Sequence, residues 1–366
     1  MKKKKLIIFI PSIEGGGVEK NLFIIGNYLS KKIDKVSIIT VSKNLKKKFN
    51  NKVKFITPKN NKDNQSGRNI KYFICLFLLF KEILKNKNIL VLTFQANLYC
   101  SIICKIFNIK VVARSNAAPA GWSNNIIKDF VFKMLFKLPT ENIVNSYKFQ
   151  KNLKDKFNIS AKCIYNPLNK DEIKKKSLRK INDDFYNDKK NLKIINIGRF
   201  TDQKDHLTLL KAANILKKKI NFKLLIIGRG KNKKNLINYI EQNSLTKYIK
   251  INNYKDNPFP YIKKSDLFIL SSKYEGLPNV LLEALTLKKF IISSNCPTGP
   301  SEILDGGKGG LLFKVGDYKE LAKKIIFFNS NKKLCLKKMM VAHKRLLRFD
   351  YNKNLNKYYN LIKKYL

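Results

Sequence analysis

The sequence predicts an α/β protein built from two doubly wound, parallel-sheet domains. Three observations predict it. The chain has 366 residues, more than one domain usually holds. Short, nearly unbroken apolar runs alternate along it with longer stretches of helical period. One polar, charged stretch near the middle, residues 169–192, interrupts that alternation. Runs that are apolar on both faces suit strands covered by helices on both sides. Strand–helix alternation then gives parallel sheets with crossover helices.

The elements follow in order. The first run sits in MKKKKLIIFIPSIEGGG, which imitates a secretory leader. Its apolar core, Leu6–Ile10, is too short, and Pro11 and Glu14 follow at once, so it reads as a buried first strand. Further strands are expected at Val36–Val41, Ile89–Thr93, Lys110–Ala113 and Asn142–Val144. A domain boundary is placed after Tyr165-Asn166-Pro167, where linker-like composition begins. The pattern restarts with strands at Lys193–Ile197, Lys223–Ile227, Tyr248–Asn252, Leu267–Leu270 and Phe290–Ser293. Helical patterns such as Val18–Lys31 and Leu207–Lys219 lie between them. In sheets of this kind, ligands bind beyond the carboxyl ends of the strands.

Composition narrows the partners. Lys and Arg number 76 against 25 Asp and Glu, a formal net charge of +51. Abundant Lys and Asn with little Arg has the look of an AT-rich codon bias, but the field is physical whatever its origin. It favours anionic partners: nucleotide phosphates, nucleic acid or an anionic membrane face. Against nucleic acid, the lysines are spread along the chain and no aromatic-rich recognition motif is present. The apolar run Tyr72–Phe80 is too short to span a bilayer, which needs about 20 residues. The six Cys show no paired CxxC spacing, and the chain has two His, so no zinc site is expected. The reading is a reduced, cytoplasmic protein.

Five motifs lie at expected strand ends. In IPSIEGGGVEKN, Gly15, Gly16 and Gly17 let a backbone approach a ligand at a helix start, though the spacing is not that of a dinucleotide fingerprint. In INIGRFTDQKDHLTLL, Gly198 ends a strand, Arg199 and Lys204 flank a short loop, and Asp205 can cap the next helix. Two cations there suit a diphosphate, Arg as a fork and Lys as a point charge. In LLIIGRGKNKKNL, Gly228 ends another strand and leaves room for a nucleotide. In YEGLPNVLLEAL, Glu275 precedes a helix that Pro278 opens, and Glu283 lies on it. Eight helical positions would set the two acids about 80° apart around the axis. They can then accept hydroxyls from two parts of one ligand, while amides of Asn279, Val280 and Leu281 meet its phosphates. In SSNCPTGPSEIL, Pro297, Gly299 and Pro300 shape a loop, with Ser301 expected to cap the helix beyond it.

Taken together, GRFTDQKD, YEGLPNVLLEAL and CPTGPSEIL resemble the retaining glycosyltransferases of family 4, and the resemblance extends over essentially the whole chain. It implies the GT-B fold, two Rossmann-like domains with a cleft between them. Residues 1–168 would bind acceptor and residues 169–345 the nucleotide sugar. The segment 346–366, with FDYNKNLNKYYNLI, would return to the N-terminal domain. It implies that Arg199 and Lys204 hold the donor diphosphate, Glu275 the donor sugar and Glu283 the ribose. Backbone around Asn279, Val280 and Leu281 would meet the phosphates, Gly198, Gly228, Gly276, Leu277 and Pro278 would line the donor site, and Gly16 and Gly17 would approach the donor from the other domain. Many relatives carry a His near the donor sugar; this N-terminal domain has none. Gln95, Asn97, Arg114 and Asn116 are the candidates for that place.

The implied reaction is transfer with retention by front-face attack, the departing phosphate oxygen taking the acceptor's proton. No DxD motif is present and the family needs no metal, so no metal or other cofactor is expected. The CPTGPSEIL loop is similar to the branch using UDP-galactose or UDP-N-acetylgalactosamine in bacterial surface-glycan assembly; UDP-glucose and UDP-N-acetylglucosamine stay open, as do a GDP-sugar and phosphorolysis. The charge favours a lipid-linked or lipopolysaccharide acceptor and a peripheral position on the inner face of the cytoplasmic membrane. Two stretches that mix aromatics with Lys, 69–87 and 122–139, read as core helices whose Lys-rich edges, with KKFNNK at 47–52, can form a docking face.

Overall fold

The computed structural model describes residues 4–13, 16–59, 66–116, 126–188 and 190–366. Glu14 and Gly15 of the glycine turn, and Trp122 to Asn125, lie outside the described residues. The chain divides into two compact units, one of Met1–Pro167 with Tyr351–Leu366 and one of Leu168–Asp350.

The first unit holds a parallel sheet of seven strands: β1 (Lys5–Phe9), β2 (Val36–Ile39), β3 (Val53–Ile56), β4 (Ile89–Thr93), β5 (Lys110–Ser115), β6 (Glu141–Val144) and β7 (Lys162–Cys163). Their order is β3-β2-β1-β4-β5-β6-β7. The helices are α1 (Gly17–Lys32), α2 (Arg68–Lys85), α3 (Asn97–Ile106), α4 (Ile126–Lys137) and α5 (Tyr147–Phe157). Strand β1 shows why its run is apolar throughout. Successive side chains point to opposite faces. Leu6 and Ile8 pack with Leu22, Ile25 and Leu29 of α1 and with Leu355, Tyr358 and Ile362 of the closing helix, Tyr351–Lys363. Ile7 and Phe9 pack on the other face with Cys75, Leu79 and Ile83 of α2 and Cys100 and Cys104 of α3. Each such burial contributes about 1.5–3 kcal/mol.

The second unit begins with α6 (Lys170–Ser177) and continues β8 (Leu192–Ile197), α7 (His206–Leu216), β9 (Phe222–Gly228), α8 (Lys233–Gln242), β10 (Ile249–Asn253) and α9 (Phe259–Lys264). It ends with β11 (Leu267–Leu270), α10 (Asn279–Thr286), β12 (Phe290–Ser294), α11 (Gly299–Ile303), β13 (Leu311–Phe313), α12 (Tyr318–Ser330) and α13 (Lys332–Lys344). Its six strands run parallel in the order β10-β9-β8-β11-β12-β13.

Several expectations need correction. Strands β3, β7 and β13 went unread. Each is an edge strand with one neighbour, and an edge needs no apolar run. The stretch 169–192 is not a bare linker. Asn169 caps α6 by accepting from the Glu172 amide at 3.0 Å, and the buried Ile173 and Phe185 anchor the segment. The return to the first unit comes at Asp350, later than 345. Leu346 and Phe349 are buried, the Leu168 amide donates to the Phe349 carbonyl at 2.9 Å, and Leu168 bridges Asp350. Ser301 lies inside α11, whose N-terminal cap position is Thr298.

Both sheets reverse strand order at one point, between β1 and β4 in the first unit and between β8 and β11 in the second. Such reversals leave a crevice at the strands' carboxyl ends.

Candidate active site

At the reversal in the second unit, the loop after β8 meets the loop after β11. Lys204 reaches Glu275, with Nζ 2.5 Å from Oε1; the side chains are 17% and 8% exposed. The same carboxylate oxygen accepts from the Ser272 hydroxyl at 2.6 Å. The two loops are stitched around this pair. The Lys273 amide donates to the Gln203 carbonyl at 2.8 Å, Gln203 Nε2 to the Tyr274 carbonyl at 2.9 Å, and the Ser271 hydroxyl to the Lys204 carbonyl at 3.0 Å. Asp205, in the left-handed region at φ 45°, caps α7 through the Thr208 amide and hydroxyl. Arg199 is exposed at the end of β8.

The loop after β12 clamps the Glu275–Gly276 peptide from behind. The buried Thr298 donates through its hydroxyl to the Glu275 carbonyl at 2.6 Å, and the Gly299 amide donates to the Gly276 carbonyl at 2.7 Å. A Cβ on Gly299 would sit 1.9 Å from the Gly276 oxygen, so glycine is required there. Burial, then the Glu275 carboxylate, pushes the Cys296 thiol up to about 12, which keeps it protonated. Gly276, Leu277 and Pro278 are buried under this clamp. Asn279 and Val280 begin α10 half-buried, but Leu281 leaves the expected phosphate set. Its side chain is fully buried and its amide donates to the Pro278 carbonyl at 3.1 Å.

Glu283 lies on α10, buried. It is near enough to Tyr254, beyond β10, to help raise that phenol's pKa, after burial and Asp256. The Arg229 guanidinium lies 4.6 Å over the Tyr254 ring, and both side chains are exposed. This Arg–Tyr platform beside an acid was not read from sequence. Its signal was an aromatic at a strand's carboxyl end, level with the Gly228 turn. Gly228 itself answers to packing: a Cβ there would lie 2.0 Å from the Gly198 oxygen, while one on Gly198 would meet the Lys204 side chain at 3.4 Å and His206 Nε2 at 3.8 Å, ordinary contacts. His206 is 3% exposed, edge-on to Phe200. Burial, then Lys204, pushes it down to about 4, so it is neutral near pH 7.

In the first unit, Gly16 is the extended cap position of α1 and Gly17 its first residue. At the carboxyl ends of β4 and β5 a cavity of about 290 Å³ is lined by Gln95, Asn97, Tyr99, Asn116 and Leu135 among others. Asn97 is held there, accepting from the Thr93 hydroxyl at 2.8 Å and donating to the Arg114 carbonyl at 3.1 Å; Asn116 donates to the Phe94 carbonyl at 3.1 Å. Gln95 Oε1 accepts from the Ser12 amide at 3.4 Å. Arg114 also lines this cavity, but its side chain is engaged elsewhere. It is fully buried and donates to the Tyr358 hydroxyl and to Asn166 Oδ1, each at 2.8 Å. It ties the closing helix to the sheet, the best use of a buried guanidinium with several donors.

Comparison with known proteins agrees with this fold. A glycosyltransferase from Rickettsia africae superposes with a TM-score of 0.76 at 20% identity, covering 100% of this chain and 99% of that one. Anabaena Alr3699/HepE in complex with UDP and glucose gives 0.76 at 16%, covering 99% and 100%. In fold, then, the chain is a GT-B protein. Residues 179–343 match the model of the glycosyl transferases group 1. A stretch of 197 residues is 28% identical to the N-acetylgalactosamine-N,N'-diacetylbacillosaminyl-diphospho-undecaprenol 4-alpha-N-acetylgalactosaminyltransferase of Campylobacter jejuni, covering 52% of this chain and 51% of that protein. The chain spans about half or less of the first curated relatives it matches, between 27% and 51% of their length.

Proposed function

We propose that the protein is a retaining glycosyltransferase. It moves a hexose or N-acetylhexosamine from a UDP-sugar to a lipid-linked oligosaccharide, lipopolysaccharide or capsule acceptor in bacterial surface-glycan synthesis. The observation that carries it is the buried Lys204–Glu275 pair at the strand-order reversal, beside the start of α10. A cation fixed by one acid and exposed Arg199 beside it suit a diphosphate, whose charge grows as the sugar leaves. Glu275 holds a sugar hydroxyl, Glu283 the ribose, and the Arg229–Tyr254 platform the base. The bond from anomeric carbon to phosphate oxygen breaks, the acceptor oxygen bonds to the same face of that carbon, and the departing phosphate oxygen takes the acceptor's proton. No side chain need act as base, and neutral His206, buried against Phe200, is not asked to.

Relatives support the finer choices. The Campylobacter protein is named for N-acetylgalactosaminyl transfer onto an undecaprenyl diphosphate glycan, and HepE was solved with UDP and glucose. An N-acetylgalactosamine or galactose donor is favoured on this ground, used without metal at the cytoplasmic face of the inner membrane. The test is UDP release from a panel of UDP- and GDP-sugars, with EDTA, for the wild type and for Glu275→Ala and Arg199→Ala. Release from one UDP-sugar that both variants lose is expected. Failure of both UDP and GDP to bind by calorimetry would overturn the reading.

A further inference from the structure

We propose that the outer faces of α2, α3 and α4 form one docking surface for an anionic lipid bilayer. This rests on the lipid-linked acceptor above and assigns the surface that would meet it. Helix α2 carries two apolar stripes. Cys75, Leu79 and Ile83 face the sheet, while Ile70, Phe73, Phe77 and Leu84 follow the helical period on the far side, 55%, 73%, 48% and 61% exposed. The pattern continues on the neighbours: Tyr99, Ile102 and Ile106 are exposed on α3, and Ile127, Phe130, Val131 and Met134 on α4. The helices adjoin. Tyr72 meets Tyr99 at 6.2 Å, Phe80 meets Phe107 at 5.5 Å, and α3 contacts α4. Single exposed apolar residues are ordinary, but a run across three adjacent helices marks an interaction surface.

Charge selects the occupant. Lys81, Lys85, Lys105, Lys133 and Lys137 are exposed on the same helices, and Lys81 lies 4.4 Å over the Phe77 ring. The carboxylates in these three segments are Glu82 and Asp129, and both are paired: Glu82 with Lys5 and Lys85, Asp129 with Lys156. A second copy would bring the same cations face to face with no acid to meet them. Anionic headgroups meet the lysines while the apolar stripe enters the acyl boundary. Tyr99 also lines the cavity at the carboxyl ends of β4 and β5. A lipid-anchored acceptor lying against this surface therefore presents its head at that cavity.

Flotation of the full chain with phosphatidylcholine vesicles, with and without about 30% phosphatidylglycerol, tests this. The wild type should float with the anionic vesicles and stay behind with the neutral ones. Lys81→Glu with Lys105→Glu and Lys133→Glu, all surface changes, should weaken that binding about a hundredfold, and Phe73→Ser with Phe77→Ser at least tenfold. Absence of flotation, or flotation untouched by either set, overturns the proposal. Concentration-dependent dimerisation abolished by the Phe changes, without vesicle binding, would assign the face to a second copy instead. Calorimetric UDP binding is read in parallel. It should persist in every variant, so a failed flotation leaves the donor reading standing and a failed UDP titration strikes that reading alone.

Discussion

Replacing Lys204 with Met should damage the protein twice, and the two injuries should separate. At 2.5 Å from Glu275, with an effective dielectric of about 20, the gross attraction is roughly 7 kcal/mol. Desolvating two ions returns much of that, so the net value of the pair is small. Stranding one partner is different. Lys204→Met leaves a carboxylate that is 8% exposed with the Ser272 hydroxyl as its remaining close donor. Breaking a buried pair costs about 3–5 kcal/mol, and about 3 is apt here because Lys204 keeps some solvent. In a unit the size of Leu168–Asp350, that lowers Tm by roughly 6–12 °C. Adding Glu275→Gln removes the stranded charge while keeping an acceptor for Ser272. The double variant should recover about 2 kcal/mol, the coupling between the sites. Turnover should not recover, since loss of a charge aimed at the developing diphosphate costs about 10²–10³-fold. Thermal melts of the wild type, both single variants and the double variant, beside UDP release, decide it. A Lys204→Met protein melting within about 2 °C of wild type would refute the stability reasoning; turnover regained with stability in the double variant would refute the catalytic role.

Three further outcomes follow from the same geometry. His206 has its pKa depressed to about 4, so the unfolded chain binds its proton first; the stability it contributes is present above about pH 6.5 and is lost as pH falls toward 4, up to roughly 3 kcal/mol, and His206→Leu should flatten that part of a denaturation series. Gly228→Ala drives a Cβ to 2.0 Å from the Gly198 oxygen and should cost about 3 kcal/mol by overpacking, whereas Gly198→Ala should melt near wild type; equal melts would contradict the close approach. Cys75, Cys100, Cys104, Cys296 and Cys335 are buried and Cys163 is half-exposed, with Cys75 and Cys296 pushed up to about 12; a thiol titration of the native protein should therefore modify Cys163 first and the rest after unfolding.

The second unit was the more legible, for a physical reason. Its central strands are covered on both faces and read as continuous apolar runs, and its site motifs sit at their ends. What stayed hidden was of two kinds. Edge strands such as Lys162–Cys163 carry no run to read. Contacts between distant segments carry no local period: Thr298 gripping the Glu275 carbonyl spans 23 positions, and Gln203 reaching the Tyr274 carbonyl spans 71. Arg114 shows the reverse failure. Its match to the place of the relatives' His suggested a ligand, but its Nε donates to the Tyr358 hydroxyl, 244 positions away. A strand-end position marks where a side chain starts, not which face it serves. Within the described residues, no helix is long and apolar enough to cross a membrane. The outward stripe of α2 was likewise hidden, because a helix apolar on both sides shows the same composition as one buried on both sides.

The net charge of +51 needs to be separated from the chemistry. A general cationic field raises the local concentration of any anion, but salt screens it within about 10 Å. It cannot choose one phosphate geometry, and a codon bias would produce it equally well. Selection requires a cation held still. Lys204 is held by an acid that is itself held by Ser272 and by the Thr298 clamp behind its carbonyl. Two of the scarce carboxylates, Glu275 and Glu283, are buried around this point. Glu275 meets Lys204 and Ser272 there, and under the proposed function sugar hydroxyls, which can donate to a carboxylate while the phosphates take the cations, give these acids a further use.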